Sequence, residues 1–508
     1  MIDAVVVGGG HNGLVAACYL AKAGLSVRLF EATESVGGAT ASEQVFEGIA
    51  ARLSRYSYLV SLLPDQIVAD LGLEFETITR RISSFTPYKV GGHEGPVTDL
   101  GLLISNDWDL SERAFGEVGL EDEAKQWRQF YGLIADVAGR IADTFLKPLP
   151  TREEIEASIG AEAFDLLFVR PIGESLLQRF SDDLVRGIVL TDGLIGTFTD
   201  AHDRSLLANR CFLYHLVGNG DGQWRVPRGG MGSLVTELRR VALALGVEIV
   251  TGKRVDRIET GAVTVGQERI PTRFIVAACS PRELARLRGD TNIPALTEGS
   301  QIKVNMVLER LPRLRSGIDP RDAFAGTFHI DEGFDQLQRA YAQASAGSLP
   351  DQIPAEIYCH TLTDPSILDP QLQRAGYQTL TLFALHTPYS LFVKDNAGTK
   401  EIAKERLMRQ LNSYLLDPIE ECLARDAHGE LAIEVKSPVD LEAEIGLPLG
   451  NIFHSDLTFP WRERNEAMRW GSETDDPTIF LGSAGARRGG GVSGIGGHNA
   501  AHAILERC

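Results

Sequence analysis

The chain opens on a short β-branched apolar run, Ala4-Val5-Val6-Val7, which ends in glycines and predicts a strand buried within a parallel sheet. Residues 14–23 carry helix formers with one apolar face and stop at Gly24, and residues 26–30 return to strand formers. The first thirty residues thus predict a βαβ unit. From Leu53 to about Gly220 the pattern turns to amphipathic stretches at 121–145, 152–168 and 174–190, punctuated by Pro148, Pro150 and Pro171. This predicts an inserted, mainly helical region. Strand and helix alternation resumes after Gly229-Gly230-Met231-Gly232, with a helix over 233–245, a strand over 247–250 and a β-rich stretch over 255–279. Residues 303–308 and 356–384 alternate in a way that predicts a second sheet. A strand at 478–481, glycine-rich text and a helix near 499–506 close the chain.

Single hydrophobic cores stop growing at roughly 250–300 residues, so a chain of 508 residues predicts two domains. Charge changes the picture by exclusion: a net charge of -19 disfavours nucleic acid, which is held by clustered Lys and Arg. The six cysteines, Cys18, Cys211, Cys279, Cys359, Cys422 and Cys508, form no C-x-x-C pair, which removes a local redox disulfide. No metal-ligating set can be named from spacing. With no apolar run of about 18 residues and no leader-like start, a cytoplasmic protein without a membrane span is expected. Peripheral membrane contact stays open, and nothing indicates the oligomeric state.

Gly8-Gly9-Gly10-His11-Asn12-Gly13 satisfies G-x-G-x-x-G between a strand and a helix. Gly8 suits the tight turn, Gly10 the close approach of a pyrophosphate, and Gly13 the packing of helix on strand, while His11 and Asn12 open the helix whose free N–H groups face the phosphates. Glu31 lies 18 residues beyond Gly13 at a strand end, where a carboxylate with its neighbour Ala32 can meet a ribose and would repel a 2′-phosphate. Gly37-Gly38 completes E-x5-G-G, a spacing that resembles the FAD-specific extension in glutathione-reductase-like and amine-oxidase-like flavoproteins. Near the C-terminus, Gly482 and the run Gly489 to Gly497, including Gly491-Val492, can bring backbone N–H groups to an anionic flavin.

Together with Pro227-Arg228-Gly229-Gly230-Met231-Gly232 and Gly450-Asn451-Ile452-Phe453-His454, these motifs resemble the phytoene desaturase-like branch of the FAD-dependent amine-oxidase superfamily across the whole chain, notably the pyridine-nucleotide-disulphide-oxidoreductase-domain proteins related to carotenoid desaturases. The resemblance implies an α/β fold: a Rossmann-like, glutathione-reductase-type FAD-binding domain from residues 1–80, 225–298 and 441–508, interleaved with an α+β substrate domain. The latter comprises a helical part, 81–224, and a mixed-sheet part, 299–440. It also implies that Val255, on a strand, meets the adenine. Ala39-Thr40 departs from amine oxidases, which usually carry Arg after the paired glycines.

Gly299-Ser300-Gln301-Ile302-Lys303 resembles the G-S-x-x-K segment of amine oxidases and makes Lys303 the one catalytic candidate, beside flavin N5. His11, His202, His215, His360, His386 and His498 are weaker acid or base candidates. Phe164, Leu166, Leu167, Phe168, Leu176 and Leu177 are candidates for an apolar tunnel roof. The expected activity is removal of hydride from a small apolar organic substrate by C–C desaturation, with C–N oxidation second, and with oxygen, a quinone or another acceptor reoxidising the flavin. A redox-neutral polyene isomerase and a non-catalytic FAD-fold escort protein are the alternatives.

Overall fold

The computed structural model describes residues 2–90 and 98–508. Two seven-stranded sheets organise them. In the first, Ile2–Val7 lies between Val27–Phe30 and Glu268–Ala277, all parallel, with Glu248–Val250 and Ile479–Leu481 added outside. Val5, Val6, Ile275 and Val276 are fully buried, because helices and loops cover both faces, which is why these strands read as unbroken apolar runs rather than alternations. The fold class expected from the sequence is the one observed.

The second sheet is mainly antiparallel, and its two faces differ. Ile302, Val304 and Met306 of the strand Ile302–Leu308, with Ile357 and Leu382 of neighbouring strands, point to an apolar core that includes Leu407 and Leu411 of the helix Asn396–Asn412. The intervening residues Lys303, Asn305, His329 and Glu356 are equally buried, on the opposite face. A period of two therefore separates a packing face from a polar interior face.

Within the stretch read as helical, Glu121–Ala142, Arg152–Ile159, Ala161–Phe168 and Asp183–Thr191 are helices. The same stretch also holds Ile82–Val90 and Thr98–Ser105, a hairpin completing the edge of the second sheet. Its signal is weak because Pro87 and Gly101 interrupt it. They sit opposite each other, and a Cβ on Gly101 would lie 2.1 Å from the Phe85 ring, so the glycine makes room for an aromatic cover. Phe164, Leu167, Phe168 and Leu176 pack into the helical core, Leu166 packs against it and Leu177 is exposed, and none of the six lines the 340 Å³ cavity described below. Residues 453–461 send Phe453, Leu457 and Trp461 into that core as well, and the chain re-enters the first sheet only at Ile479.

The last helix spans Ile495–Leu505, four residues ahead of its expected start at 499, so Gly496 and Gly497 belong to it. Both are there for contact. A Cβ on Gly497 would lie 2.0 Å from the carbonyl oxygen of Asn12, and one on Gly496 would lie 2.3 Å from that of Ser483. Alanine normally stabilises a helix interior by about 1 kcal/mol over glycine. Here Gly497→Ala is expected to do the reverse, destabilising by about 1–3 kcal/mol through overpacking. A thermal melt checks this, and an unchanged or raised Tm contradicts the packing.

Candidate active site

The first turn is built from backbone. Gly8, at φ 108, follows the strand Ile2–Val7, and its N–H donates to Phe30 O at 2.8 Å. The Gly9 N–H donates to Glu31 Oε2 at 2.8 Å, and the Thr33 N–H to Oε1 at 2.8 Å, so the carboxylate that ends the second strand is locked against the glycine turn. The Gly37 N–H donates to Gly9 O at 2.9 Å, and Gly37 and Gly38 both take positive φ, which brings their segment beneath the turn. A Cβ on Gly10 would meet nothing within 4 Å, whereas one on Gly13 would lie 2.1 Å from Gly8 O. Gly10 thus faces open space and Gly13 faces its own strand.

The C-terminal glycines join this cradle. The Gly497 N–H donates to Asn12 Oδ1 at 3.2 Å, tying the starts of the helices His11–Lys22 and Ile495–Leu505 together. The helix His11–Lys22 has no acidic residue in its first turn and no side-chain cap, which leaves N–H groups and a positive dipole end available to an anion, whereas at the start of Ile495–Leu505 the Ile495 N–H donates to Ser493 Oγ at 3.2 Å and the Gly497 N–H to Asn12. His11 is buried against the Gly491 backbone; burial, and then neighbouring His454, lower its pKa to about 4, so it sits there neutral. Gly491 and Val492 are half-buried in the loop between, and Gly482, whose N–H donates to Ala277 O at 2.9 Å, ends the returning strand. Val255 lies in a loop before the strand Arg257–Glu259 rather than on a strand. Its segment is held by Lys253 N–H to Glu31 O at 2.9 Å, with Ala32 exposed alongside. Gly9, Glu31 and Gly37 are thus joined by direct hydrogen bonds and His11 meets the Gly491 backbone, and the open face at Gly10 beside the uncapped start of His11–Lys22 fits an extended dinucleotide.

Lys303 is 2 % exposed, and its Nζ donates to the carbonyl oxygens of Ser54 and Ser57. The ammonium lies 5.8 Å from the Tyr58 ring centre and 5.3 Å from that of Phe383. Burial drives its pKa well below the usual lysine value, with Glu434 opposing. The sheet register then extends outward: Lys303 pairs with Phe383, Phe383 with Glu356, and Glu356 with His329. This row leads from the lysine to a cavity of about 340 Å³.

That cavity separates the polar sheet face from the helical layer. Arg80, His329, Glu356 and Tyr358 line one side, and Trp127, Ile134, Ile188 and Leu216 the other, with Asp192 among them. Burial raises the pKa of Asp192 to about 7 and, with the charge of Glu332 second, that of Glu356 to about 8; burial holds Glu332 well above the carboxylate range. Donor atoms of His329, Glu332 and Glu356 lie within 4.8 Å of one another, a constellation that spacing did not reveal. The available signal was charge inside strand text, as in Ala355-Glu356-Ile357. Of the histidines named from the sequence none lines this cavity; His215 stacks on Trp224 of its wall at 5.4 Å.

Glu31→Ala removes the acceptor for two backbone N–H groups and the carboxylate at the expected ribose end. FAD affinity is expected to fall by about tenfold or more, since hydrogen bonds to a charged acceptor contribute about 1.5–3 kcal/mol. Flavin retained through desalting measures it, and full retention contradicts the assignment.

Among the described residues no helix is long and apolar enough to cross a membrane. The pattern of the family described as flavin containing amine oxidoreductase matches residues 13–341. The chain is 45% identical over 524 residues to an uncharacterized protein of Mycobacterium tuberculosis, covering 99% of this chain and 97% of that one. It is 28% identical over 563 residues to pyridine nucleotide-disulfide oxidoreductase domain-containing protein 2 of Rattus norvegicus, covering 99% and 93%. In structure it is similar to cyclohexylamine oxidase from Brevibacterium oxydans, with a TM-score of 0.59, 17% identity and coverage of 100% and 99%. Matched in pattern, in a full-length relative and in fold, the chain belongs to the flavin-containing amine oxidoreductase family, and its cofactor is FAD.

Proposed function

We propose that the chain is an FAD-dependent dehydrogenase that removes hydride from a carbon–carbon unit of a largely apolar substrate held in the 340 Å³ cavity. One observation carries this reading: the cavity shares a sheet face, and an unbroken register row, with Lys303 and the Tyr58–Phe383 aromatic pair. FAD, when bound, supplies the hydride acceptor. Glu31, Gly10 and the two helix starts would hold it, while the chain's other residues orient the substrate and exclude water. Trp127, Ile134, Ile188 and Leu216 offer the substrate body an apolar wall. Lys303, its charge suppressed by burial and its Nζ anchored on two carbonyl groups, presents a fixed polar group beside the aromatic pair.

Carbon–carbon rather than carbon–nitrogen oxidation is favoured by Arg80, a cation on the cavity wall that repels an ammonium substrate. Ala39-Thr40, in place of the Arg expected of amine oxidases, agrees. Gly489 to Gly494 formally repeats G-x-G-x-x-G but no acidic second-strand end follows it, so it is no second dinucleotide site, and oxygen, a quinone or another acceptor reoxidises the flavin.

Anaerobic mixing of the holoprotein with candidate polyenes, acyl compounds and amines tests the reading. Bleaching by a polyene or acyl compound is expected; bleaching by amines alone, or by NADPH alone, contradicts it. Lys303→Met is expected to keep its FAD and to slow flavin reduction or reoxidation by about tenfold or more, the scale of a lost polar contact at a reacting centre. Unchanged rates in both half-reactions would remove Lys303 from the mechanism.

A further inference from the structure

Arg80 is 9% exposed, yet its Nε–H has no acceptor among the described residues, and the groups around it, Tyr358, Tyr58, Glu356 and Asp192, influence it only through space. The guanidinium lies 5.7 Å from the Tyr358 ring centre and lines the cavity. A buried cation with an unmet donor is costly, and a folded chain keeps one where a ligand completes it. We propose that Arg80 anchors a carboxylate on the substrate, whose apolar body lies along the helical wall. This inference rests on the cavity being the substrate cavity, and it names the substrate class: an organic acid with an apolar chain or ring.

The neighbouring acids do not contradict it. Buried carboxyl groups discard their charge by keeping protons, whereas a guanidinium cannot. Glu332 contacts His329 Nδ1 and accepts from Thr191 Oγ1 at 3.3 Å, and Glu356 accepts from the Tyr358 hydroxyl. Glu332 and Glu356 are held protonated at neutral pH and His329 is held neutral by burial, so Arg80 is the buried group of this wall that cannot shed its charge; Asp221, which also lines the cavity, is paired with Arg225. A protonated Glu356 or Asp192 can donate to the same carboxylate that Arg80 binds. A divalent cation on His329, Glu332 and Glu356 would have to displace those protons beside a guanidinium, and an ammonium ligand would meet the same repulsion.

The sign of the pH dependence follows. Asp192 and Glu356 ionise as pH rises through about 7 and about 8, where they repel a carboxylate and compete for Arg80. Tyr131 and Tyr358, which line this space, and Tyr58 next to Tyr358 are pushed up and stay neutral, and His329 is pushed down and stays neutral. Affinity for a carboxylate is therefore expected to be full below that window and to fall across it.

Calorimetric titration of the FAD-loaded protein with octanoate, octanamide and octylamine tests the proposal, with Trp127 and Trp224 in the cavity wall giving a fluorescence readout. Octanoate is expected to bind at least about tenfold more tightly than either neutral or cationic probe at mildly acid pH, the scale of a charge-assisted hydrogen bond. That preference is expected to vanish in Arg80→Gln and to survive in part in Arg80→Lys. The comparison among probes uses the wild-type protein and does not depend on a variant folding. Octylamine binding most tightly, equal affinities, no binding by any probe, or octanoate affinity untouched in Arg80→Gln overturns the proposal. Because no turnover is needed, each of these outcomes leaves the dehydrogenase reading to stand or fall on flavin bleaching.

Discussion

The cofactor channel depends on two helices meeting at their N-terminal ends without a Cβ between them. His11–Lys22 comes from the start of the chain and Ile495–Leu505 from its end; they pack along their lengths, with Tyr19 against His498 and His502, and Asn12 meets Gly497 where their first turns converge. A Cβ on Gly497 would lie 2.0 Å from Asn12 O, so the two dipole ends converge only because that position is glycine. This contact aligns the glycine turn, Glu31 and the loop at Gly491-Val492. Both dipole ends favour an anionic cofactor, since the positive partial charge is confined to the first turn of each, and the uncapped start of His11–Lys22 keeps N–H groups free for it.

The second sheet solves a different problem. It buries polar side chains on the face opposite its packing core, and does so because strands have a period of two: alternate residues pack against Leu407 and Leu411 while the others, Lys303, Glu356 and His329, face inward. Burial then dictates their chemistry. Lys303 is driven toward its neutral form, the carboxyls of Glu332 and Glu356 keep their protons, and Arg80 alone cannot shed its charge. The wall thus sets neutralised acids and a fixed cation, Arg80, opposite an apolar helical layer.

How much of this was legible in the sequence follows from how local each signal is. The glycine turn, Glu31 and Gly37-Gly38 form within one βαβ unit, so residue spacing translates directly into geometry. The strand pair Ile82–Val90 and Thr98–Ser105 hides among helical text because its ladder holds Pro87 opposite Gly101, two residues that weaken any strand signal. The start of the last helix was placed late because glycines ordinarily argue against a helix, and here a tertiary contact requires them. The Arg80, Asp192, Glu332 and Glu356 cluster was out of reach: its members come from four distant points of the chain and meet only when the helical layer is laid on the sheet. Lys303 was found through a family likeness, yet its register row to Glu356 and His329 is a property of the sheet alone.

The proposed dehydrogenation removes two hydrogens from the substrate and passes them to the flavin. The most direct measurement is the mass of the product formed by the FAD-loaded protein under anaerobic, single-turnover conditions, read beside the flavin absorbance. The account predicts a product lighter by two hydrogens, formed in proportion to the flavin bleached. A product of unchanged mass with the flavin spectrum restored would contradict it and make the chain an isomerase.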